Sequence, residues 1–191
     1  MSEQFGNYMI ELREVTYVMD RPANQAIIEK MISILSETKR IGGRLFILGV
    51  GGSAANASHA VNDFRKISGI EAYAPTDNIA ELTARTNDES WVLTFWRWLE
   101  VSRIKSKDCV LVLSVSGGDV YNKKSMNIVR ALEFAKDERA KIIGIVGKDG
   151  GYTLGVADAC LIIPTINPDH IYAHAESFQS IIWHFLAHQV R

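Results

Sequence analysis

Short apolar runs alternate with longer segments of helical periodicity along most of the chain, and this alternation constrains the fold more than any other feature. The runs are rich in valine, isoleucine and leucine with little charge inside them, which is typical of strands buried on both faces. We predict four strands at 44–49, 109–114, 141–146 and 159–164, and a fifth at 70–73 from a weaker apolar pattern. We predict helices at 24–38, 53–66, 78–85, 91–103, 126–137 and 175–189. Alternation of this kind forms a parallel sheet with helices on both faces, so the predicted fold class is α/β.

The segment before the first strand is too long to be a mere tail. Residues 1–42 are interpreted as one or two amphipathic helices that pack on the core or on a partner subunit, and 43–191 as the sheet domain. No repeat, low-complexity stretch or linker divides the sequence, which predicts a single domain over 1–191. In open α/β sheets ligands bind beyond the carboxyl ends of the strands, so a site is expected in the loops that follow them.

The charge composition argues against two classes of partner. The 191 residues carry 21 Lys and Arg against 22 Asp and Glu, a net charge of −1, whereas nucleic-acid and membrane-surface binders need a positive face. No apolar run approaches the roughly 20 residues that span a bilayer, and no secretory signal is recognised at the N-terminus. The two cysteines, Cys109 and Cys160, fit neither a disulfide framework nor a zinc ribbon. We therefore expect a cytoplasmic protein with no nucleic-acid or membrane partner.

A glycine-rich loop at 49–55 follows the first strand and opens a helix. Glycines allow a close approach of the backbone, and the free N–H groups of a helix start favour an anion. The loop also satisfies G-x-G-x-x-A, and Glu71 lies 20 residues beyond Gly51, as a dinucleotide fold would require. A glycine turn without a ligand is the third interpretation that this loop leaves open.

A second loop, Ser-Val-Ser-Gly-Gly at 114–118, follows another apolar strand, and Ser125 stands where the next helix begins. Hydroxyls and glycine amides at a strand end suit a compact phosphate monoester. Ser125 also suits the role of an N-cap. Two serine- and glycine-rich loops favour a phosphosugar over a dinucleotide, which would use only the first, so no nucleotide cofactor is expected.

Two pairs of titratable residues have spacings that suit a cleft. His59 and Asp63 lie four residues apart in a predicted helix and share a face. Glu176 and His184 lie eight apart, two turns plus roughly 80°, so both can face one cleft. Two imidazoles and two carboxylates would suit zinc or another divalent metal. A solvated i,i+4 pair and a core histidine are the alternatives that spacing leaves open.

Several short motifs occur in one characteristic order: 51–54, Thr76-Asp77 with Asn87-Asp88, 114–117 and 147–151. Together they resemble a sugar isomerase (SIS) domain of the sedoheptulose 7-phosphate isomerase, or phosphoheptose isomerase, family, from about residue 44 to the C-terminus. The resemblance implies a flavodoxin-like three-layer α/β/α sandwich, assembled as a homotetramer or homodimer with active sites between subunits. It also implies interconversion of D-sedoheptulose 7-phosphate and D-glycero-D-manno-heptose 7-phosphate for bacterial surface polysaccharides, either lipopolysaccharide or capsule.

The resemblance also assigns roles to individual residues. The implied zinc ligands are His59, Asp63, Glu176 and His184. Asp63 is the implied base and His184 the implied acid. The implied substrate-binding residues are Gly51, Gly52, Ser53, Asn87, Asp88, Ser114, Ser116, Ser125 and Glu176.

The sequence departs from the family pattern at several of these places. Val50 stands where the family has asparagine, Asp63 where it has glutamate, and Glu176 where it has glutamine, while residues 118–124 form an insertion before Ser125. Two other functions therefore stay open: a non-catalytic SIS module that binds a phosphosugar or a replication-initiation partner, and an isomerase of another ketose phosphate. Lys123 and Lys124 of the insertion are expected in a solvated turn.

Overall fold

The computed structural model describes residues 2–190, and its five strands form one parallel sheet in the order β2-β1-β3-β4-β5. The strands are β1 Arg44–Gly49, β2 Glu71–Tyr73, β3 Cys109–Ser114, β4 Lys141–Val146 and β5 Ala159–Ile162. The helices are α1 Ser2–Met19, α2 Pro22–Arg40, α3 Gly52–Asp63, α4 Ile79–Asp88, α5 Thr94–Val101, α6 Met126–Asp137, α7 Gly151–Val156 and α8 Ile171–Gln189. A π-helical turn, Phe64–Ser68, continues α3, and a 3₁₀ turn, Pro168–His170, leads into α8. This strand order is the flavodoxin-like arrangement, which confirms the expected fold class.

The two faces of the sheet carry separate cores, because alternate side chains of each strand point to opposite sides. Leu45 and Ile47 of β1 pack with α2, α3 and α8 on one face. Phe46 and Leu48 pack with α5 and α6 on the other. The result is the three-layer sandwich, with α1 adding Val15 and Met19 to the first core.

Helix boundaries differ from the sequence prediction where local signals compete. The last helix begins at Ile171 rather than at 175, and α7 was not predicted. The predicted helix 91–103 shortens to Thr94–Val101, and Asn78 caps α4 by accepting a hydrogen bond from the Glu81 N–H. Ser125 stands at the start of α6 in the left-handed conformation, with φ of 52°, and within residues 2–190 its hydroxyl makes no capping hydrogen bond. Ser125 therefore occupies the expected N-cap position, but its side chain does not cap the helix.

The two edges of the sheet have different chemistry. At the edge where the strands begin, the carboxylate of Asp108 is fully buried and accepts hydrogen bonds from the backbone and guanidinium of Arg44 and from the Lys105 N–H. At the opposite edge the chain order reverses between β1 and β3, which is where such folds bind ligands. Across the described residues, no helix is both long and apolar enough to cross a membrane.

Candidate active site

A pocket of about 260 Å³ opens at the crevice between β1 and β3. Three loops and the start of α8 form it, and its lining comprises Val50, Gly51, Ser114, Val115, Ser116, Lys124, Ser125, Lys148, Tyr172 and Glu176. Both serine- and glycine-rich loops predicted from the sequence thus contribute to one cavity. Its walls offer hydroxyls and ammonium groups, which suit an anion, and one carboxylate, which can accept hydrogen bonds from hydroxyl groups of a ligand.

The first loop delivers the N-terminus of α3 to this pocket. Gly51 has a φ of 64°, a left-handed conformation that favours glycine, and the helix begins at the next residue. The carboxylate of Glu176 lies so close to Gly52 that a Cβ there would collide with it. A carboxylate from α8 therefore lies beside the first turn of α3, where the N–H groups also favour a phosphate.

The second and third loops interlock at the same edge. Ser114 Oγ accepts a hydrogen bond from the Gly117 N–H at 3.0 Å, which closes the second loop. Gly117 in turn accepts from the hydroxyl and N–H of Thr153 in α7. A Cβ on Gly117, whose φ is 65°, would collide with the carbonyl of Gly150. This close packing holds Ser116 and Lys148 on neighbouring walls of the pocket.

The insertion at 118–124 folds as a small hairpin whose last residue borders the pocket. Asp119 and Lys124 exchange both backbone hydrogen bonds at 2.9 Å. The Asp119 carboxylate accepts from the N–H and side chain of Asn122, and these hydrogen bonds lower the pKa of Asp119. Lys124 consequently lines the pocket, whereas Lys123 is exposed outside its lining. Lys124 is exposed as well, so the two lysines lie in a solvated turn as expected, and Lys124 in addition borders the pocket.

A second group of side chains lies where α3 passes α8. The imidazoles of His59 and His184 and the carboxylate of Asp63 bring one ligand atom each within 4.8 Å of the others. His184 Nε2 lies 3.6 Å from Asp63 Oδ2, and the two imidazole ring centroids are 5.2 Å apart. Trp183 stacks on the His184 ring at 3.6 Å between centroids. The structure thus brings three of the four implied metal ligands together, and Trp183 packs against one of them.

The hydrogen bond that His184 Nδ1 makes determines the protonation of its other ring nitrogen, Nε2. Nδ1 lies 2.6 Å from the carbonyl oxygen of Ser180, which can only accept, so Nδ1 carries a proton. The neutral ring then turns the lone pair of Nε2 toward Asp63, an arrangement that needs a cation between them or a second proton. Metal-binding histidines are held by this kind of hydrogen bond, so the three residues fit a divalent metal such as zinc.

Helices α3 and α8 run side by side in the same direction, which sets the distance between the two parts of the site. Glu176 contacts Gly52 at their amino ends, and His184 meets Asp63 further along. Eight residues of helix separate Glu176 from His184, or about 12 Å. Glu176 accordingly stands in the pocket and outside the group of three potential ligands.

Other residues implied by the resemblance stand elsewhere in this chain. Asn87 lies near the end of α4, in a shallow groove with Leu82 and Trp91, and donates a hydrogen bond to Asp88. The Ser53 side chain is buried, and its hydroxyl finds no partner within the described part of the chain. Neither Asn87 nor Ser53 is among the residues that line the pocket. The pocket residues that the sequence interpretation did not single out are Lys148 and Tyr172, although Lys148 lies inside the quoted motif 147–151.

The dinucleotide interpretation fails on the position of Glu71. This residue begins β2 and pairs in register with Arg44, the first residue of β1. It therefore stands at the edge of the sheet opposite the glycine loop, where its carboxylate accepts a hydrogen bond from Tyr73. A ribose-binding carboxylate has to lie at the same edge as the loop.

Comparison with known proteins agrees with this geometry. A family model described as SIS domain matches residues 7–147. The phosphoheptose isomerase of Trichlorobacter lovleyi is 37% identical over 145 residues, which cover 73% of this chain and 70% of that protein. The chain belongs to the phosphoheptose isomerase family of SIS-domain proteins. The phosphoheptose isomerase of Helicobacter pylori is 31% identical over 146 residues, covering 74% of this chain and 72% of that protein.

The fold of this phosphosugar isomerase is also that of solved relatives. The structure of phosphoheptose isomerase from Neisseria gonorrhoeae superposes with a TM-score of 0.86 at 20% identity, covering 100% of this chain and 99% of that chain. The glycine and serine loops of this phosphosugar isomerase therefore lie in a sheet arrangement that the family shares.

Proposed function

We propose that this phosphosugar isomerase converts D-sedoheptulose 7-phosphate to D-glycero-D-manno-heptose 7-phosphate. The enzyme acts in the cytoplasm, and its product supplies heptose for a bacterial surface polysaccharide. The observation that carries the proposal is the pairing of Asp63 with His184 along the same two helices whose amino ends border the phosphate pocket. Relatives at 37% and 31% identity carry the name phosphoheptose isomerase, which supports a seven-carbon substrate.

In this proposal the phosphate binds to the loops between β1 and α3 and between β3 and α6. The N–H groups of Gly51 and Gly52 and the hydroxyls of Ser114, Ser116 and Ser125 hold its oxygens, joined by Lys124 and Lys148. The apolar Val50 on this wall leaves fewer polar contacts to the sugar than an asparagine would.

The reaction moves one proton between adjacent carbons and another between their oxygens. Asp63, whose side chain is 13% exposed, takes the proton from C1 of the ketose and returns it to C2 of the aldose. His184 gives a proton to the C2 oxygen and receives one from the C1 oxygen. Because Nδ1 stays bonded to Ser180, these protons pass through Nε2.

We also propose that zinc binds to His59, Asp63 and His184. The family resemblance implies Glu176 as a fourth ligand, but in this chain its carboxylate lies against Gly52, outside that group. When bound, zinc supplies a Lewis acid that polarises the carbonyl and stabilises charge on the enediolate oxygens. The ligand set of imidazole and carboxylate is one that zinc prefers. Because Nε2 of His184 has one lone pair, it would either bind the metal or carry the proton, so His184 would act as the acid only while His59 and Asp63 hold the ion.

We propose further that the enzyme is a homotetramer with active sites between subunits, and that residues 1–42 contribute to its contacts. Phe5, Ile10 and Tyr17 on α1 are 66%, 49% and 73% exposed in the single chain, and a subunit contact would cover them. Glu176 of the pocket and His184 of the acid–base pair are separated by about 12 Å along α8, which supports a site built from two subunits. A phosphate held by one subunit can then meet the acid–base pair of its neighbour.

The test is exchange of substrate hydrogen with solvent. Purified protein is incubated with sedoheptulose 7-phosphate in deuterium oxide, with and without added zinc, and deuterium uptake is followed by NMR. The proposal expects deuterium at C2 of the heptose product. Binding without exchange under every metal condition would leave a regulatory SIS module, whereas exchange with a shorter ketose phosphate alone would change the substrate.

A further inference from the structure

A second cluster of titratable side chains lies between α1 and the start of α8. Glu11 of α1 faces His170, which ends the 3₁₀ turn, and His174, one helical turn later. Glu11 Oε2 is 2.7 Å from His170 Nδ1 and 3.2 Å from His174 Nε2. One ligand atom from each residue lies within 4.8 Å of the other two. The chain thus brings two imidazoles and a carboxylate together from segments 159 residues apart.

The imidazole of His174 is buried with few polar partners, which is unfavourable for a polar side chain. The residue is 1% exposed, and its Nδ1 makes no hydrogen bond to any described residue. Its Nε2 is near Glu11 but without the alignment of a hydrogen bond. Buried polar atoms of this kind ordinarily have partners, since leaving one unsatisfied costs about 1–3 kcal/mol. A cation between Nε2 and the carboxylate would give Nε2 a strong partner, while Nδ1 still has none among the described residues.

The arrangement has the dimensions and chemistry of a zinc site. Ligand atoms about 2.0–2.1 Å from one tetrahedral zinc ion are roughly 3.3 Å from one another, and the observed contacts of 2.7 and 3.2 Å lie close to that value. Two of the three donors are nitrogen atoms, which argues against calcium and magnesium because these ions prefer oxygen ligands. Binding would displace the proton that His170 shares with Glu11, as metal ions commonly do.

The surrounding residues already orient the three groups. Asn167 donates a hydrogen bond of 2.7 Å to Glu11 Oε1, which holds the carboxylate and leaves Oε2 toward the histidines. The Tyr8 ring packs on both imidazoles, with centroids 5.2 and 5.5 Å away. An open groove of about 570 Å³ lies on the outer side, bordered by Glu11 and His170, with room for water as a fourth ligand. Outer contacts of this type fix the orientation of metal ligands.

This cluster is separate from the acid–base pair. His174 and His184 are ten positions apart in α8, about 15 Å of helix. His174 is also two residues from Tyr172 and Glu176, which line the phosphate pocket, and a step of two residues turns a helix by about 200°. His174 therefore points away from the pocket, toward α1.

We propose that Glu11, His170 and His174 form a divalent-metal site for zinc that fixes α1 to the start of α8. Because the ion binds only where these three segments meet, it stabilises the folded chain by mass action.

The experiment measures cobalt and zinc binding to the full-length chain in a His184→Ala background, which weakens the cluster near Asp63. The parent is expected to bind one equivalent of Co²⁺ with visible absorption, and to melt at a higher temperature when Zn²⁺ is added. Adding His170→Ala or Glu11→Gln is expected to weaken binding at least tenfold and to abolish the zinc-dependent rise in melting temperature. Neither change removes the buried His174, so both variants can be compared with the parent as folded proteins after metal removal with EDTA.

His188→Ala in the same background is the matched control, since it removes an exposed histidine from the far end of α8. It is expected to keep the metal equivalent and the melting shift. Unchanged cobalt absorption and an unchanged zinc-dependent melting shift in both His170→Ala and Glu11→Gln would overturn the proposal. Loss of binding in the His188 variant would do so as well.

Discussion

His184 Nε2 faces Asp63 Oδ2 at 3.6 Å because the other ring nitrogen of His184 is held by the Ser180 carbonyl. The Asn62 side chain meanwhile donates to the second oxygen of Asp63 at 2.8 Å. One hydrogen bond behind each group thus orients the pair across the contact between α3 and α8.

Asp63→Asn is expected to lower turnover at least ~10²-fold, because an amide cannot accept the substrate proton. His184→Ala is expected to have an effect of the same size. Turnover is measured with sedoheptulose 7-phosphate alongside thermal melting of each variant. His188→Ala is the control and should retain normal turnover; near-normal turnover in both Asp63→Asn and His184→Ala would contradict the assigned roles.

Shared active sites predict complementation between two defective subunits. Ser116→Asp places a carboxylate in the phosphate pocket and is expected to abolish substrate binding, while Asp63→Asn abolishes proton transfer. If each site takes its phosphate pocket from one subunit and its acid–base pair from another, unfolding and refolding an equal mixture should restore roughly a quarter of the activity. Each variant refolded by itself serves as the control, and a mixture no more active than these would place both functions in one subunit.

Lys148→Ala is expected to raise KM for the sugar phosphate about tenfold, because one charged contact to phosphate is lost. Lys124→Ala should act in the same direction, and the effect of both should shrink as salt concentration rises. Lys123→Ala removes the same charge from the same hairpin but outside the pocket. Steady-state kinetics at two ionic strengths are measured for the three variants. If all three have the same KM as one another, phosphate does not bind in this pocket.

Asp108→Ala should destabilise the fold without altering the chemistry. The Asp108 side chain is fully buried against the partly exposed Arg44, and its removal leaves the N–H groups of Arg44 and Lys105 without their acceptor. The Arg44 guanidinium loses its carboxylate partner but keeps its hydrogen bonds to backbone carbonyls. Leaving a buried hydrogen-bonding group unsatisfied costs about 1–3 kcal/mol in the free energy of unfolding. Urea denaturation measures the loss. Glu71→Ala, at the same edge but exposed, is expected to change neither stability nor activity, and a loss of activity there would revive the dinucleotide interpretation.

The cysteine thiols are expected to be inert in the native protein. Burial raises the pKa of Cys160 to about 11 and raises that of Cys109 as well. The reactive thiolate therefore stays scarce at pH 8 and increases as pH rises toward the pKa. Titration with a disulfide reagent should find little reaction in the native protein and two thiols in guanidinium chloride, whereas rapid labelling of folded protein would contradict it.

The strands and the pocket loops were determined by the sequence itself. Residues 44–49, 109–114 and 141–146 were predicted at their observed boundaries, because continuous apolar runs between polar loops have few other ways to be buried. The carboxyl ends of parallel strands meet at one edge, so Ser114 and Gly51 could be expected in one pocket. The i,i+4 spacing of His59 and Asp63 likewise placed them on one face of α3.

What the tertiary structure alone decided were the contacts between distant segments. Glu176 and His184 share a helix and suited one cleft by spacing, yet the packing of α8 on α3 puts one in the pocket and the other beside Asp63. Glu11 meets His170 across 159 residues, a distance at which periodicity carries no information. Local patterns determine which face of an element is buried, whereas the partner of a polar side chain on that face depends on how whole helices pack together.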